Sequence, residues 1–226
     1  MNICIIPARG GSKRIPKKNI IDFHGKPLIA YTIEAAINSG LFKDNIYISS
    51  DSRDILKVTD GYKGVKAIKR PKNISGDRAV LQDAVIHLLN NINAKNSDYL
   101  CMLQPNCPLR FGDDIRESYK IIKKGNANCL VSVVDYCWLK PFWAVQEKNG
   151  KLDFFFGRKY LVDSKKLPQN IYCPSGAVIW VKISNFLIEK KFYGKNLVKY
   201  EIPFERGVDI DTYKDLELAR KLYKII

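Results

Sequence analysis

The chain has 226 residues, 46% apolar and 27% charged, the size and composition of one ordinary globular domain rather than a miniature stapled scaffold or a disordered polymer. Apolar runs such as 3–6 and 129–131 fall far short of the roughly 20 residues a membrane helix needs. Lys and Arg number 38 against 23 Asp and Glu, and the resulting charge of +15 draws the chain toward nucleic acid, membrane headgroups or small anionic substrates without choosing among them.

In chain order, 2–7 reads as a β-branched strand, 8–19 as a basic, turn-rich loop, and Pro27 opens a helix with Ile29, Ile33, Ala36 and Ile37 on one face. Strands are predicted at 46–49 and 65–69, with a short helix through Ile55 and Val58 between them. Leu81, Ala84, Val85, Leu88, Leu89 and Ile92 trace an amphipathic helix, and 99–103 a buried strand running into a loop whose Pro105 and Pro108 forbid regular structure. Asp113 and Asp114 suit the positive end of the next helix, which Lys123, Lys124 and Gly125 close before a strand at 129–134. Alternation then gives way to an aromatic, extended excursion with an Asn149-Gly150 hairpin signal. A strand at 177–181, a helix at 185–190, a strand at 208–210 and a helix through Leu216, Ala219 and Tyr223 complete the chain. This alternation predicts an α/β fold with a mostly parallel sheet covered on both faces.

In such sheets ligands sit beyond the carboxyl ends of the strands, which singles out three segments. The first is 8–19, Ala8-Arg9-Gly10-Gly11-Ser12-Lys13-Arg14-Ile15-Pro16-Lys17-Lys18-Asn19, with two glycines and five cations among twelve residues. That composition suits a triphosphate, although neither G-x-x-x-x-G-K-[ST] nor G-x-G-x-x-G is present, and a solvated basic turn is the plainer alternative. The second is Gln104-Pro105-Asn106-Cys107-Pro108-Leu109-Arg110, able to present an amide and a guanidinium, or simply a rigid connector with Arg110 solvated. In the third, Asp209-Ile210-Asp211, a strand would put both carboxylates on one face, fit for a magnesium ion that bridges phosphates. There Thr212 and Asp215 also fit a capping box, so the acidic pair reads equally as helix-terminal charge.

His24 lies in a turn and His87 on the polar flank of a helix, so neither reads as a general base. Without a G-x-S-x-G elbow or a cysteine beside a histidine, covalent catalysis is disfavoured. Six cysteines without a C-x-x-C pair, and an N-terminus without a charged n-region before an apolar stretch, predict a reduced, cytoplasmic protein without a signal peptide.

Ile5-Ile6-Pro7-Ala8-Arg9-Gly10-Gly11-Ser12-Lys13 with Pro16 and Lys18-Asn19 forms an ordered set with Ser50-Asp51, Arg70-Pro71 and Asp77. Gln104-Pro105-x-x-Pro108-Leu109-Arg110, Pro174-x-Gly176-Ala177 and Asp209-Ile210-Asp211-Thr212 complete it, and the whole resembles the acylneuraminate cytidylyltransferase family. The resemblance spans nearly the entire chain. It implies a three-layer, Rossmann-like nucleotidyltransferase in a single domain, 1–226, with an excursion at about 137–172 used for dimerisation. It also implies transfer of CMP from CTP to a nine-carbon acidic sugar with magnesium as cofactor, in a likeness that carries Arg9, Lys18 and Asp211 as catalytic residues. Ala8, Arg9, Gly10, Lys18, Asn19, Arg70 and Asp77 would bind nucleotide, Gln104, Lys140 and Ser175 the sugar, and Asp209 and Asp211 the metal, with Lys140 reaching a neighbouring subunit's sugar site.

The chain departs from the family at Arg78-Ala79-Val80-Leu81, where small hydroxyl residues are usual, at Ser175 in place of Asn, and at Lys165 or Lys166 in place of an arginine. These departures point to an acceptor other than ordinary N-acetylneuraminate. The alternatives are a nucleotidyltransferase for another sugar acid, such as an octulosonate, and a basic RNA-binding protein stacking bases on Tyr136, Trp138 and Phe142. No RNP, KH or zinc-knuckle motif supports the latter, and no basic amphipathic helix supports membrane attachment, so neither nucleic acid nor membrane is an expected partner.

Overall fold

The computed structural model describes residues 2–77, 79–95 and 98–226, so the expected departure at Arg78 lies outside the described residues. Chain order runs β1 (Asn2–Pro7), β2 (Asp22–Phe23), β3 (Lys26–Pro27), α1 (Leu28–Asn38), β4 (Ile46–Ser50), α2 (Arg53–Lys57), β5 (Val65–Lys69), α3 (Leu81–Asn91) and β6 (Tyr99–Met102). It continues with α4 (Gly112–Lys124), β7 (Cys129–Asp135), β8 (Val145–Lys148), β9 (Lys151–Phe154), β10 (Tyr172–Lys182), α5 (Ile183–Glu189), β11 (Leu197–Glu201) and α6 (Tyr213–Leu222). Seven strands form one sheet in the order β11-β7-β10-β6-β1-β4-β5. All its pairings are parallel except those of β10, which runs antiparallel to both neighbours.

The period of two along β1 builds the layers. Ile3 and Ile5 face α3 and α5 through Ala84, Val85, Leu88 and Phe186, while Cys4 and Ile6 face α1 and α4 through Ile29, Ile33, Ile115 and Ile122. A third apolar cluster joins Ile15 of the basic loop, Phe23, Tyr31 and Leu109 to Ile210, Leu216 and Ala219 near the C-terminus. The expected three-layer α/β architecture is therefore present, and the chain order reverses between β1 and β6, which opens a crevice at their carboxyl ends.

Two elements differ from expectation. Residues 208–210 form no strand, because the Ile210 N–H goes to the Asn106 carbonyl at 2.9 Å rather than to a ladder. The last strand is β11, whose Val198 and Tyr200 pack on the core while Leu197, Lys199 and Glu201 face outward. β10 is also longer than 177–181 and begins at the close of the excursion, where its register against β7 slips between Pro174 and Ile179. Ser132 fills that bulge, its hydroxyl lying 3.0 Å from the Ser175 carbonyl oxygen and accepting the Val178 N–H at 2.8 Å. Within the excursion β8 and β9 form the expected hairpin, and Asn149 and Gly150 both hold positive φ, at 52° and 72°.

Arg110 is the largest departure in environment. It is 2% exposed rather than solvated, and its guanidinium donates to the Ala177 carbonyl at 2.7 Å, to Thr32 Oγ1 at 3.0 Å and to the Gln104 carbonyl. One side chain thus joins α1, the loop after β6 and β10. Arg110→Ala leaves those acceptors unpartnered beside a cavity and is expected to cost about 2–5 kcal/mol in urea unfolding. A loss under about 1 kcal/mol would show that the surrounding packing alone holds the three elements.

Candidate active site

Strand ends and their loops shape a cleft of about 500 Å³. The basic loop supplies Arg9, Lys13, Arg14, Lys18 and Asn19, the loop after β5 supplies Arg70 and Asp77, the loop after β6 supplies Gln104 and Asn106, and the C-terminal segment supplies Asp211.

Apolar anchoring and hydrogen bonds hold the basic loop. Ile15 is fully buried, and Asn19 Nδ2 donates to the Arg9 carbonyl at 2.9 Å, closing the loop on itself. Gly10 donates its N–H to Asp51 Oδ1 at 2.8 Å, and a Cβ there would come within 2.9 Å of Ser52 Cβ. The loop can lie this close to the end of β4 only with glycine at that position.

Its cations face the cleft with carboxylates as counter-ions. Arg9 Nη1 and Lys13 Nζ meet Asp77 at 3.3 Å and 2.6 Å, across the cleft mouth. Lys13 first and Arg9 after it hold Asp77 below the ordinary carboxylate range. Lys18, largely shielded from solvent, donates to the Ile210 carbonyl at 2.7 Å and to Asp211 Oδ1 at 2.9 Å, while Arg14 reaches Asp211 Oδ2 at 2.5 Å. Partial loss of water works to raise Asp211, but the hydrogen bond and charge of Lys18, then Arg14, outweigh it and the group ends below its usual value.

The segment that carries the acidic pair is fixed along its length. Arg206 pairs with the buried Asp114 at 2.6 Å, and Tyr200 donates to the same carboxylate at 2.9 Å. Thr212 and Asp215 form the capping box anticipated from sequence, and Asp215 also accepts the Asp211 N–H at 3.1 Å. Capping therefore falls to Thr212 and Asp215, which leaves the side chains of Asp209 and Asp211 for other partners. Asp209 accepts a hydrogen bond from Asn106 Nδ2. Desolvation of its carboxylate by nearby protein atoms, and then the Asp211 charge, raise Asp209 above the ordinary range although the residue as a whole is exposed.

Arg70 lies 5% exposed beneath the cleft. It donates to the Ser49 carbonyl at 2.7 Å, and its Nε, like Ser49 Oγ, has no partner among the described residues. A buried, unused guanidinium N–H beside a polar cleft suits an acceptor brought by a ligand.

Of the residues expected at the site, Arg9, Lys18, Asn19, Arg70, Asp77, Gln104 and Asp211 line the cleft. Ala8 and Gly10 support it through the backbone, Ala8 being fully buried with its N–H on the Ser49 carbonyl at 2.9 Å. Ser175 does not face the cleft, because its hydroxyl lies 3.1 Å from that of Ser132 inside the β10 bulge. The bulge brings Gly176 against Gln104, and a Cβ at 176 would come within 2.7 Å of the Gln104 amide. Gly176 thus gives that amide its room. Lys140 borders a separate pocket of about 50 Å³ with Tyr136, Phe142 and Gln169, and Lys165 and Lys166 sit exposed in a turn of the same excursion.

Asn106 and Arg14 carry no signal in the sequence beyond membership of a polar or basic loop. The thiol of Cys107 in the same loop is pushed up to about 12 by burial, which keeps it protonated and agrees with non-covalent chemistry. Neither histidine lines the cleft; His24 stacks on Tyr223 with centroids 4.8 Å apart. Of the aromatics expected as base-stacking platforms, Phe142 stacks on Tyr160 at 4.7 Å, whereas Trp138 touches Phe204 at 5.5 Å and remains largely exposed.

A family model described as cytidylyltransferase matches residues 3–153. The chain is 35% identical over 226 residues to the pseudaminic acid cytidylyltransferase of Campylobacter jejuni subsp. jejuni serotype O:23/36 (strain 81-176), spanning 99% of this chain and 97% of that one. It is 31% identical over 233 residues to the CMP-N,N'-diacetyllegionaminic acid synthase of Legionella pneumophila, spanning 99% and 96%. Among solved structures, a CMP:2-keto-3-deoxy-manno-octonic acid synthetase complexed with CTP aligns with TM-score 0.72 over 99% of this chain and 98% of that one, at 17% identity, a likeness of fold. A doubly covered sheet with a cation-lined cleft at its switch point suits an anionic nucleotide, and the sequence comparisons define the class as nucleotidyltransferase. Within that class the chain belongs to the cytidylyltransferase family, as its motifs implied.

Asp209 yields a prediction from its raised pKa. Stability from this group falls as pH rises from the ordinary carboxylate value through the raised one, because the folded state holds the proton more tightly. Asp209→Asn is therefore expected to melt slightly higher than wild type at neutral pH, by up to about 2 °C given the solvent access, with the gap closing on acidification. A lower melting temperature at neutral pH would contradict the electrostatic description.

Proposed function

We propose that the chain transfers CMP from CTP to the anomeric hydroxyl of a nine-carbon acidic sugar and releases pyrophosphate. The observation that carries the reading is the convergence of four cations of one loop, the Arg70 guanidinium and Asp211 on a single cleft, with Asp209 two residues from Asp211. Sequence similarity to pseudaminic acid cytidylyltransferases over nearly both full lengths supports a nonulosonate acceptor and makes pseudaminate the first to test.

In this reading the sugar hydroxyl attacks the α-phosphorus, the α–β bond breaks and pyrophosphate departs. Positioning and charge neutralisation carry such a reaction. Arg9 and Lys13 exchange Asp77 for phosphate oxygens, and an Arg9 contact that strengthens as charge moves onto pyrophosphate speeds the step rather than only tightening binding. Lys18 commits hydrogen bonds to Ile210 and Asp211, so it holds the acidic segment against the phosphate loop while its charge faces the cleft. Gln104, oriented by Gly176, presents its amide to the sugar.

The donor chemistry of the site fits a divalent ion. Asp209 and Asp211 lie close enough for one charge to raise the other's pKa, and two carboxylates completed by phosphate oxygens and water are what magnesium ordinarily takes. No cluster of three or more acidic, His or Cys side chains fit for a metal occurs among the described residues, so such an ion depends on the nucleotide for its remaining ligands. Bound there, it would neutralise phosphate charge.

Pyrophosphate release measured with CTP and magnesium over pseudaminate, legionaminate, N-acetylneuraminate and octulosonate tests the assignment. A nonulosonate is expected to turn over at least tenfold faster than octulosonate, and CTP faster than UTP. Preference for octulosonate would move the protein to the other sugar-acid class, and equal use of UTP would end the cytidylyl reading.

The excursion exposes Trp138, Leu139, Leu152, Phe155 and Phe156, an apolar surface suited to self-association. We infer a homodimer in which this excursion carries Lys140 to the partner's sugar site. No helix among the described residues is long and apolar enough to cross a membrane, and cytoplasmic residence is part of the same reading. Sedimentation velocity is expected to show a dimer that Trp138→Glu with Phe155→Glu converts to monomer. A wild-type monomer at micromolar concentration would remove Lys140 from the sugar site.

A further inference from the structure

We infer that Asn106 is the positioning residue for Asp209. The inference deepens the metal assignment above and rests on it. The three carboxylates of the C-terminal segment are held by different chemistry. Asp211 meets two cations, Lys18 and Arg14, and Asp215 is occupied by the helix cap. Among the described residues, the hydrogen bond donated by Asn106 Nδ2 is the one that the Asp209 carboxylate accepts, and Asp209 joins no ion pair.

The choice of an amide has a chemical consequence. A lysine or arginine on Asp209 would neutralise it and compete with any cation, whereas a neutral N–H fixes one oxygen and leaves the full negative charge available. Asp209 is therefore the carboxylate that meets a divalent ion with its charge unneutralised, whereas Asp211 shares its charge with Lys18 and Arg14 and joins the ion as the second ligand.

Asn106 is well built for the task. It is 8% exposed and lies between Pro105 and Pro108, which restrict the backbone on both sides. Its carbonyl accepts the Ile210 N–H at 2.9 Å, and its Nδ2 also lies 3.4 Å from the Ile210 carbonyl. Two acceptors on the same side settle which end of the amide is the NH2. Through these bonds the position of Asp209 is set by the end of β6, two residues from Gln104. The side chain that would orient the sugar and the carboxylate that would take the metal thus share one support.

The test uses Mn2+ as probe, its free concentration followed by electron paramagnetic resonance in the presence of α,β-methylene-CTP, for wild type, Asn106→Ala, Asn106→Leu and Asp209→Asn. Thermal melting and metal-free binding of the analogue are measured alongside. Both Asn106 variants are expected to need at least about tenfold more Mn2+ for half-saturation, as loss of an outer-shell partner usually causes, with metal-free analogue binding kept within about twofold. Leucine keeps the bulk of the side chain, so a shift in both variants isolates the lost N–H. Unchanged Mn2+ binding in the Asn106 variants beside a loss in Asp209→Asn overturns this inference alone. Unchanged binding in Asp209→Asn overturns the metal assignment and the inference with it. Parallel loss of melting temperature and metal-free nucleotide binding in both Asn106 variants assigns the residue a structural role and likewise overturns the inference.

Discussion

The buried guanidinium of Arg110 is the contact on which the geometry of the cleft depends. A cation taken wholly out of water persists only where acceptors surround it, and here they come from the Gln104 carbonyl, Thr32 on α1 and the Ala177 carbonyl on β10. Satisfying that one group fixes where the loop after β6 leaves the sheet. The loop in turn places Gln104 against the Gly176 bulge and Asn106 against the acidic segment. Two of the cleft's walls therefore inherit their position from a side chain that does not line the cleft.

A second constraint is electrostatic. Clustering Arg9, Lys13, Arg14 and Lys18 on one loop would be self-repulsive without counter-ions, and the fold supplies Asp77 on one side and Asp211 on the other. Both carboxylates sit where anionic substrate oxygens are expected. The exposed Asp77 is the easier to displace, since solvent screens its pairs, whereas Asp211 is tied to the better-shielded Lys18. In the proposed reaction the Asp77 side would open to phosphate while the Asp211 side stays assembled.

The basic loop, Arg70 and Gln104 located the cleft because each follows a strand, and the alternation of strand and helix is written in periodicities of two and near four. The basic loop, Gln104 and Asp211 met there as expected. Harder to read were the features that depend on distant partners. The segment 208–210 has the alternating look of a strand, yet it found the Asn106 carbonyl instead of a neighbouring ladder, while β11 carries a similar alternation over five residues and did find an edge beside β7. Nothing local distinguishes the two.

By itself the sequence determined most of the order of elements and the family, because hydrophobic period and motif spacing are properties of neighbours along the chain. Tertiary structure alone decided that Arg110 is buried rather than solvated and that Ser175 faces Ser132 rather than the cleft. It also decided that Asp209 and Asp211 are held by an amide and by cations respectively. Those outcomes turn on which groups meet across separations of up to 197 residues. Burial and hydrogen-bond partners are set by that meeting, and a polar side chain carries no local mark of the acceptor it will find.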